Sequence, residues 1–214
     1  IQTADSFRQS ILEALRWNPE EVYLYPLYVR RGTGLDGKSA VEDQHRQTLY
    51  RAGRDLLLDR GYHQASMRAF RRDHAARASE FSCQEDGVIG LGAGARSYTA
   101  GHHYATDYAV GRSGVLSILD DYAARDTDQF RSAWHGIAID ADERARRFIL
   151  KSILRADGLT IADFVRLFGV DPCVMFPRLS DLMALGLLTR DDIIIAPTAL
   201  GLEYSDAIPP LFYS

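Results

Sequence analysis

Cysteine is nearly absent from this chain of 214 residues, which contains only Cys83 and Cys173. Two cysteines exclude a framework of disulfides, and free thiols are what a reducing compartment permits. Long apolar runs are absent as well, because no stretch approaches the roughly 20 residues needed to span a bilayer. The N-terminus also lacks the basic-then-apolar layout of a secretion signal. We therefore expect a soluble, cytoplasmic protein with two thiols and no membrane partner.

An excess of basic residues is missing too, since 25 Lys and Arg face 29 Asp and Glu, giving a formal charge of -4. No overall positive field is available to hold nucleic acid or an acidic membrane. The composition, 46% apolar and 25% charged, is that of a globular protein and excludes disorder and fibres. The chain begins at Ile1, without methionine, inside a predicted helix. We therefore expect the later part of a longer protein.

Periodicity of apolar residues predicts a mixed α/β fold. Helices are predicted over 4–17, 39–60, 115–125, 140–156, 160–168, 172–185 and 198–205. Strands are predicted over 21–30, 62–70 and 104–110, with a hairpin over 187–195. The strand at 21–30 is apolar on both faces, as in a parallel sheet covered on both sides, and Pro26 places it at an edge or a bulge.

Three helices followed by a hairpin over 140–214 are typical of a winged-helix module. Winged helices often bind DNA, but this segment contains eight basic and eleven acidic residues, a net charge of -3. The hairpin tip itself carries Asp191 and Asp192. Because such a wing repels phosphate, we expect a packing or lid role and no nucleic-acid partner.

Glycine occupies every second position at Gly90, Gly92 and Gly94. If the segment is extended, one face has no side chains, so a neighbouring backbone or a flat ligand can approach closely. A dinucleotide fingerprint would open a helix, which the following residues do not favour. A strand packed tightly against a neighbour remains the alternative to a ligand-facing wall. If the segment is a ligand-facing wall, a methyl group added at Gly92 should obstruct the ligand more than it disturbs the fold.

Several motifs in order resemble the later half of the HemN-like radical SAM family, the oxygen-independent coproporphyrinogen III oxidases and their relatives. The resemblance covers nearly the whole chain. The motifs in the first part are YLYPLYVRRGTGL at 23–35, GYHQASMR at 61–68 and DGVIGLGAGARS at 86–97. In the last part, 148–214 is similar to the family's C-terminal winged-helix-like domain, with DLMALGL at 181–187 and LGLEYSD at 200–206.

The resemblance implies an α/β fold in which the chain closes a partial (β/α) radical SAM barrel and continues into a winged-helix-like domain. It implies three parts: the end of the barrel with the glycine-rich strand over 1–110, a helical connection over 111–139, and the C-terminal domain over 140–214. The partner of the first part is then the missing N-terminal half of the barrel.

The same resemblance implies S-adenosylmethionine (SAM) and a 4Fe-4S cluster as cofactors of the intact enzyme. The family binds its cluster through three closely spaced cysteines, and no such loop occurs here, so no metal ligand is assigned to this chain. The intact protein would be a radical SAM oxidoreductase that abstracts hydrogen from a tetrapyrrole or another organic substrate through a 5′-deoxyadenosyl radical. The chain by itself would be inactive.

Two alternatives remain open at this point. The haem-chaperone (HemW-like) branch carries a His-Asn-x-x-Tyr motif, and the segment before the glycines, 77–84, has no His-Asn. That absence argues against haem handling without establishing the oxidase. The other alternative is a non-catalytic module whose winged helix binds a partner.

Candidate site residues line the SAM and substrate cavity and position ligands, while catalytic residues stay unassigned. Arg96 ends the glycine segment and would offer a planar fork of donors to a carboxylate. Of the adjacent His102 and His103, one must face the glycines if they lie on a strand. The cofactor-binding set is Tyr25, Tyr28, Arg30, Gln64, Gly90, Gly92, Gly94, Arg96 and Ser97.

Overall fold

The computed structural model describes residues 2–28, 31–32, 43–72 and 87–213. It shows a mixed α/β protein, as predicted, that divides into two compact units. The first unit contains Ile1–Pro26, Glu42–Ala76 and Ala141–Ser214, and the second contains Leu27–Val41 and Arg77–Asp140. The three-part division predicted from the sequence keeps 1–110 together, whereas the contacts distribute this range over both units.

The secondary structure of the described residues alternates between helices and short strands. The helices are α1 (Ala4–Leu15), α2 (Asp43–Asp59), α3 (Arg112–Ala124), α4 (Ala141–Ile153), α5 (Ile161–Phe168), α6 (Pro172–Met175), α7 (Arg178–Ala184) and α8 (Ala199–Glu203). The strands are β1 (Glu21–Tyr23), β2 (His63–Gln64), β3 (Ala69–Arg71), β4 (Arg96–Tyr98), β5 (His102–Ala105), β6 (His135–Ala138), β7 (Leu159–Thr160), β8 (Leu188–Arg190) and β9 (Ile194–Pro197). Within the part of the chain that is described, no helix combines the length and apolar character that crossing a membrane requires.

The N-terminal segments of the first unit pack two helices against a small sheet. A capping box begins α1, in which Thr3 Oγ1 accepts the Ser6 N–H and Ser6 Oγ accepts the Thr3 N–H. Strand β3 lies between β1 and β2 and pairs antiparallel with both. Ile11 of α1, Leu57 of α2 and Phe70 of β3 form the buried core of these segments.

Two sequence predictions for this sheet are wrong. The segment 21–30 is not a strand of a parallel sheet, because β1 ends at Tyr23 and pairs antiparallel. Beyond the strand, Leu24 is buried in the core and its N–H donates to the Arg68 carbonyl at 2.8 Å, whereas Tyr25, Leu27 and Tyr28 are exposed. The segment 62–70 is a hairpin of β2 and β3 rather than one strand. Alternation of side chains does not reveal where a chain reverses direction.

Residues 141–214 pack helices against an antiparallel sheet in which β9 lies between β7 and β8. Ile149 of α4, Phe164 of α5, Leu179 of α7 and Ile195 of β9 have no exposed surface and centre one continuous core. This core explains why helical periodicity was readable here, since each helix buries one apolar face.

The predicted helix over 172–185 is two helices, α6 and α7. Pro177 has no N–H to donate, and a residue before proline avoids helical geometry. Phe176 accordingly has φ -127° and ψ 82° and ends α6. Its side chain is still buried in the core, so the break turns the chain without exposing an apolar residue.

An ion-pair cluster connects α2 with α8 inside the first unit. Glu203 is 8% exposed and accepts hydrogen bonds from two arginines of α2. Its Oε1 accepts from Arg51 Nε at 2.8 Å and Nη2 at 2.6 Å, and its Oε2 accepts from Arg54 Nη1 at 3.0 Å. A buried carboxylate with three charge-assisted hydrogen bonds holds the N-terminal segments against the C-terminal ones.

The second unit contains a three-stranded antiparallel sheet, with β5 between β4 and β6, and the helix α3. The predicted strand over 104–110 is displaced, since the ladder runs over His102–Ala105. Strand β6 was not predicted, because all four of its residues are exposed and show no alternation of apolar and polar positions. The helix predicted over 115–125 is present as α3.

Candidate functional site

The three alternating glycines form a turn in the second unit, and their predicted extended strand is wrong. Gly92 has φ +103° and Gly94 has φ +80°, values that L side chains rarely adopt. The strand pairing in this region is limited to one bridge, in which Val88 and Tyr98 exchange hydrogen bonds of 2.9 Å. The alternating glycines therefore allow the chain to reverse direction here. We name residues 90–94 the glycine turn.

Each glycine N–H of the glycine turn donates to a side-chain hydroxyl from a different part of the second unit. The Gly90 N–H donates to Ser97 Oγ at 2.9 Å, the Gly92 N–H to the Tyr122 hydroxyl at 3.1 Å, and the Gly94 N–H to Thr106 Oγ1 at 2.6 Å. Three elements, β4, α3 and the segment after β5, thus hold one turn. Ser97 is buried, which makes its hydroxyl a fixed partner.

Gly90 is required for packing rather than for conformation. A Cβ added there would lie 2.5 Å from the Arg96 carbonyl oxygen, closer than real Cβ atoms approach such an atom. At Gly92 and Gly94, an added Cβ would meet nothing within 4 Å, so the constraint there is the backbone angle. Steric contact and backbone conformation together account for the three glycines without reference to a ligand.

A cleft of about 570 Å³ lies on one side of the glycine turn. Gly90 and Gly92 line it together with Asp107, Arg125 and Trp134, and we name it the Trp134 cleft. Its volume is in the range of small-molecule sites. The tip of the glycine turn and the aromatic residues that follow α3 therefore face the same space.

A charged cluster forms one wall of the Trp134 cleft. Asp107 Oδ1 contacts His135 Nε2, and Asp107 Oδ2 lies 3.6 Å from a guanidinium nitrogen of Arg125. The Arg125 guanidinium carbon lies 4.6 Å from the centre of the Trp134 ring. Such a cation–π contact orients both side chains. Asp107, Arg125 and His135 can exchange hydrogen bonds with a polar ligand beside an aromatic surface.

A second cleft, of about 590 Å³, is lined by Gly94 at the other end of the glycine turn. Arg96, His103, Asp107 and Leu119 also line it, and we name it the Arg96 cleft. The Arg96 side chain is exposed, and Asp107 lines both clefts. This cleft offers a guanidinium fork and an imidazole next to apolar residues of α3.

His103 is held by a ring contact in the Arg96 cleft. Its imidazole stacks on the Tyr98 ring with centroids 4.3 Å apart and planes 10° from parallel. The neighbouring His102 is exposed. His103 lines the same cleft as Gly94, and the expectation that one histidine of the pair faces the glycines stays a prediction.

The remaining members of the predicted cofactor-binding set are distributed over the chain. Tyr25 and Gln64 belong to the first unit, whereas Tyr28 belongs to the second, as do the glycine turn, Arg96 and Ser97. Arg30 lies outside the described residues. The set was predicted to line one cavity, whereas within the second unit Gly90, Gly92 and Ser97 line the Trp134 cleft and Gly94 and Arg96 line the Arg96 cleft.

Tyr25 and Gln64 have contacts within the first unit. The Tyr25 ring is 71% exposed and lies 5.2 Å from the Arg68 guanidinium carbon. Gln64 Nε2 donates to the Tyr50 hydroxyl at 2.8 Å. Burial raises the pKa of Tyr50 to about 12, although the hydrogen bond from Gln64 and the charge of Arg54 act in the opposite direction.

The charged cluster of the Trp134 cleft was missed by sequence reasoning. Asp107 and His135 are separated by a helix, and Arg125 directly follows that helix. None of them belongs to a motif with fixed spacing. The one available signal was the combination of charge and aromatic residues over 122–135, and it does not distinguish a cleft from a solvated surface.

No group of three or more His, Cys, Asp or Glu side chains in the described ranges is arranged to hold a metal ion. Cys173 is a free thiol, and Cys83 lies outside the described residues. An iron–sulfur cluster needs several thiolates at one place. The described residues therefore do not fit such a cluster.

The chain is similar to known proteins in its C-terminal domain and in its fold. Residues 139–204 match the family model of the HemN C-terminal domain. The chain is similar in structure to coproporphyrinogen III oxidase (HemN) from Escherichia coli, which is described as a radical SAM enzyme, with a TM-score of 0.77 and 21% sequence identity. This match covers 99% of the chain and 52% of HemN, so the chain spans about half the length of that protein. No curated protein matches the sequence.

At 21% identity the structural likeness shows the fold. Together with the family match, it confirms the resemblance that the sequence predicted, since the chain is similar in fold to HemN and its residues 139–204 match the HemN C-terminal domain.

Proposed function

We propose that this chain is the C-terminal portion of a HemN-like radical SAM oxidoreductase. The observation that carries the proposal is the fold shared with about half of HemN, combined with the HemN C-terminal domain at 139–204. In the intact enzyme the substrate would be a tetrapyrrole or another organic molecule, as in a coproporphyrinogen oxidase. Neither the assignment to a HemN-like enzyme nor the expected class of substrate depends on the Trp134 cleft.

The finer architecture of the proposal is a closing part of a partial barrel followed by a winged-helix-like domain. The order helix, strand, three helices and two strands over 141–197, with β9 between β7 and β8, supports the winged-helix description. For the barrel, the described strands of the chain pair antiparallel, so the support is the similarity to HemN alone. The functional division into 1–110, 111–139 and 140–214 is part of this proposal.

The cofactors of the intact enzyme would be SAM and a 4Fe-4S cluster, which supply the radical chemistry. Since the described residues do not fit the cluster, its ligands would come from elsewhere in the intact protein. The proposal assigns to this chain the binding and orientation of ligands, and assigns it no catalytic residue. The missing partner is then an N-terminal half that carries the cluster.

The Arg96 cleft is the part of the predicted set that we assign to SAM or substrate. Arg96 is exposed at the end of the glycine turn and can bind a carboxylate through two parallel hydrogen bonds, a geometry that lysine cannot copy. Gly94, His103 and the apolar side of α3 would hold the rest of the ligand and exclude water. Tyr25, Tyr28, Arg30 and Gln64 stay predictions for the same role.

Calorimetric titration of SAM into the 214-residue chain tests this assignment. We expect Arg96→Lys to weaken SAM binding about tenfold, because the bidentate contact is lost, while the melting temperature stays unchanged. Arg112→Lys is the matched control, since Arg112 is an exposed arginine of the same unit outside both clefts and should leave the affinity unchanged. Absence of SAM binding to the unmodified chain, or equal affinities of all three proteins, would contradict the assignment.

A further inference from the structure

The charged cluster of the Trp134 cleft is assembled from three elements. Asp107 follows β5, Arg125 directly follows α3, and His135 begins β6. Asp107 contacts the His135 imidazole and lies 3.6 Å from the Arg125 guanidinium, so one carboxylate fixes the positions of both side chains relative to each other. The Arg125 side chain is only 16% exposed, and a guanidinium with little solvent interacts more strongly with a ligand charge than one in bulk water.

Aromatic rings form the neighbouring wall of the same cleft. Trp134 and Phe130 remain 57% and 48% exposed, and Phe130 meets the Tyr122 ring edge-on at 5.1 Å. The Trp134 ring already stacks with the Arg125 guanidinium. Large exposed rings beside a fixed cation are the features that bind planar aromatic ligands.

The charge of the lining is opposite to that of the chain. Among the described residues that line the Trp134 cleft, Arg125 and Arg131 face Asp107 as the only carboxylate, whereas the whole chain has a net charge of -4. Arg131 lies 3.2 Å from Asp128, which is outside the lining. A locally cationic, aromatic cleft on an acidic protein favours an anionic ligand.

We propose that the Trp134 cleft binds a fused-ring aromatic anion of mononucleotide size. The ring would stack on Trp134, and the anionic group would bind Arg125 and His135, whose relative position Asp107 fixes. A volume of about 570 Å³ accommodates such a ligand. This site adjoins the Arg96 cleft, with which it shares Asp107, and goes beyond the proposed radical SAM function, which can fail without affecting it.

Fluorescence of Trp134 provides a direct measurement. The chain contains two tryptophans, and Trp17 is 86% exposed in the first unit, so Trp17→Phe leaves Trp134 as the single reporter. AMP is the probe, because it carries a fused ring and a phosphate. Adenosine tests the ring without the anion, and ribose 5-phosphate tests the anion without the ring. We expect AMP to quench Trp134 saturably and to bind at least about tenfold more tightly than either matched compound.

Substitutions then locate the site, all in the Trp17→Phe background. Arg125→Lys keeps the charge but loses the planar stack and should weaken AMP binding about tenfold. His135→Gln should weaken it several-fold, and it remains informative if Arg125→Lys fails to fold. Arg112→Lys and Arg96→Lys should leave the AMP affinity unchanged, which separates this site from the one proposed for SAM.

Three results would overturn the proposal. One is the absence of saturable quenching by AMP, and another is equal affinity for AMP and adenosine. The third is an AMP affinity that neither Arg125→Lys nor His135→Gln changes while both proteins remain folded.

Discussion

Backbone conformation at single glycines decides the geometry of the candidate site. Gly92 has φ +103° with open space around its Cα, and Gly101 has open space without a positive φ. The same substitution should therefore have opposite effects at the two positions. At Gly92 an alanine is forced into a conformation that costs L residues energy, whereas at Gly101 it mainly restricts the unfolded chain.

We expect Gly92→Ala to lower the free energy of unfolding by about 1–2 kcal/mol, and Gly101→Ala to leave it unchanged or raise it by about 0.5 kcal/mol. Urea unfolding followed by Trp134 fluorescence in the Trp17→Phe background measures this in the second unit, where both glycines lie. Equal effects of the two substitutions would show that the positive φ of Gly92 carries no cost. The positive φ of Gly92 thus predicts a loss of stability where the sequence alone predicted mainly an obstructed ligand.

At the scale of elements, Asp171 connects the beginning of α6 with β8. Its two carboxylate oxygens accept hydrogen bonds from Arg190 at 2.9 and 2.6 Å, and its Oδ1 also accepts the Cys173 N–H at 2.8 Å. The hydrogen bonds from Arg190 lower the pKa of Asp171 below its usual 3.8. A carboxyl with a lowered pKa stabilises the fold above its unfolded pKa and loses that contribution as the pH falls through the folded pKa.

We therefore expect Arg190→Gln to destabilise the chain at pH 7, and the difference from the unmodified chain to shrink as the pH falls below about 3.8. Urea unfolding at a series of pH values measures this difference. Arg16→Gln is the control, because it removes an exposed ion pair to Glu13 on α1 and should change stability little at any pH. A difference that stays constant between pH 7 and the acid limit would rule out the pair as its source.

Helices could be predicted from this sequence much better than strands. Each helix over 141–184 buries one apolar face in a shared core, so its period is visible in the residues. The strands are two to four residues long, and a pattern of period two cannot be read reliably over that length. The alternating glycines predicted an extended segment for a related reason. In the structure their alternation accompanies positive φ angles rather than a strand.

The candidate site was predictable only where it is local in sequence. Gly90 through Ser97 are close together along the chain and line two neighbouring clefts, whereas the sequence analysis placed them in one cavity. Asp107, Arg125 and His135 meet only after α3 has formed and β6 has paired with β5. No local sequence pattern predicts that these three residues lie together, so only the structure reveals the cluster.

At the scale of the whole molecule, the two compact units contain different functional features. The first unit contains residues 141–214 and with them most of the HemN C-terminal domain, which remains a net acidic segment for which we predict no nucleic-acid partner. The second contains the glycine turn and both clefts. Both ligand sites that we propose thus lie in the second unit, while Tyr25 and Gln64 of the first unit stay predictions.

Formation of 5′-deoxyadenosine tests the central claim most directly. The 214-residue chain and the complete product of the gene that encodes it are each reconstituted anaerobically with iron, sulfide, a reductant and SAM. The account predicts no 5′-deoxyadenosine above the protein-free control for the chain alone, and formation of 5′-deoxyadenosine by the complete product. Turnover by the chain alone, or a complete product that binds no cluster and forms no 5′-deoxyadenosine, would contradict it.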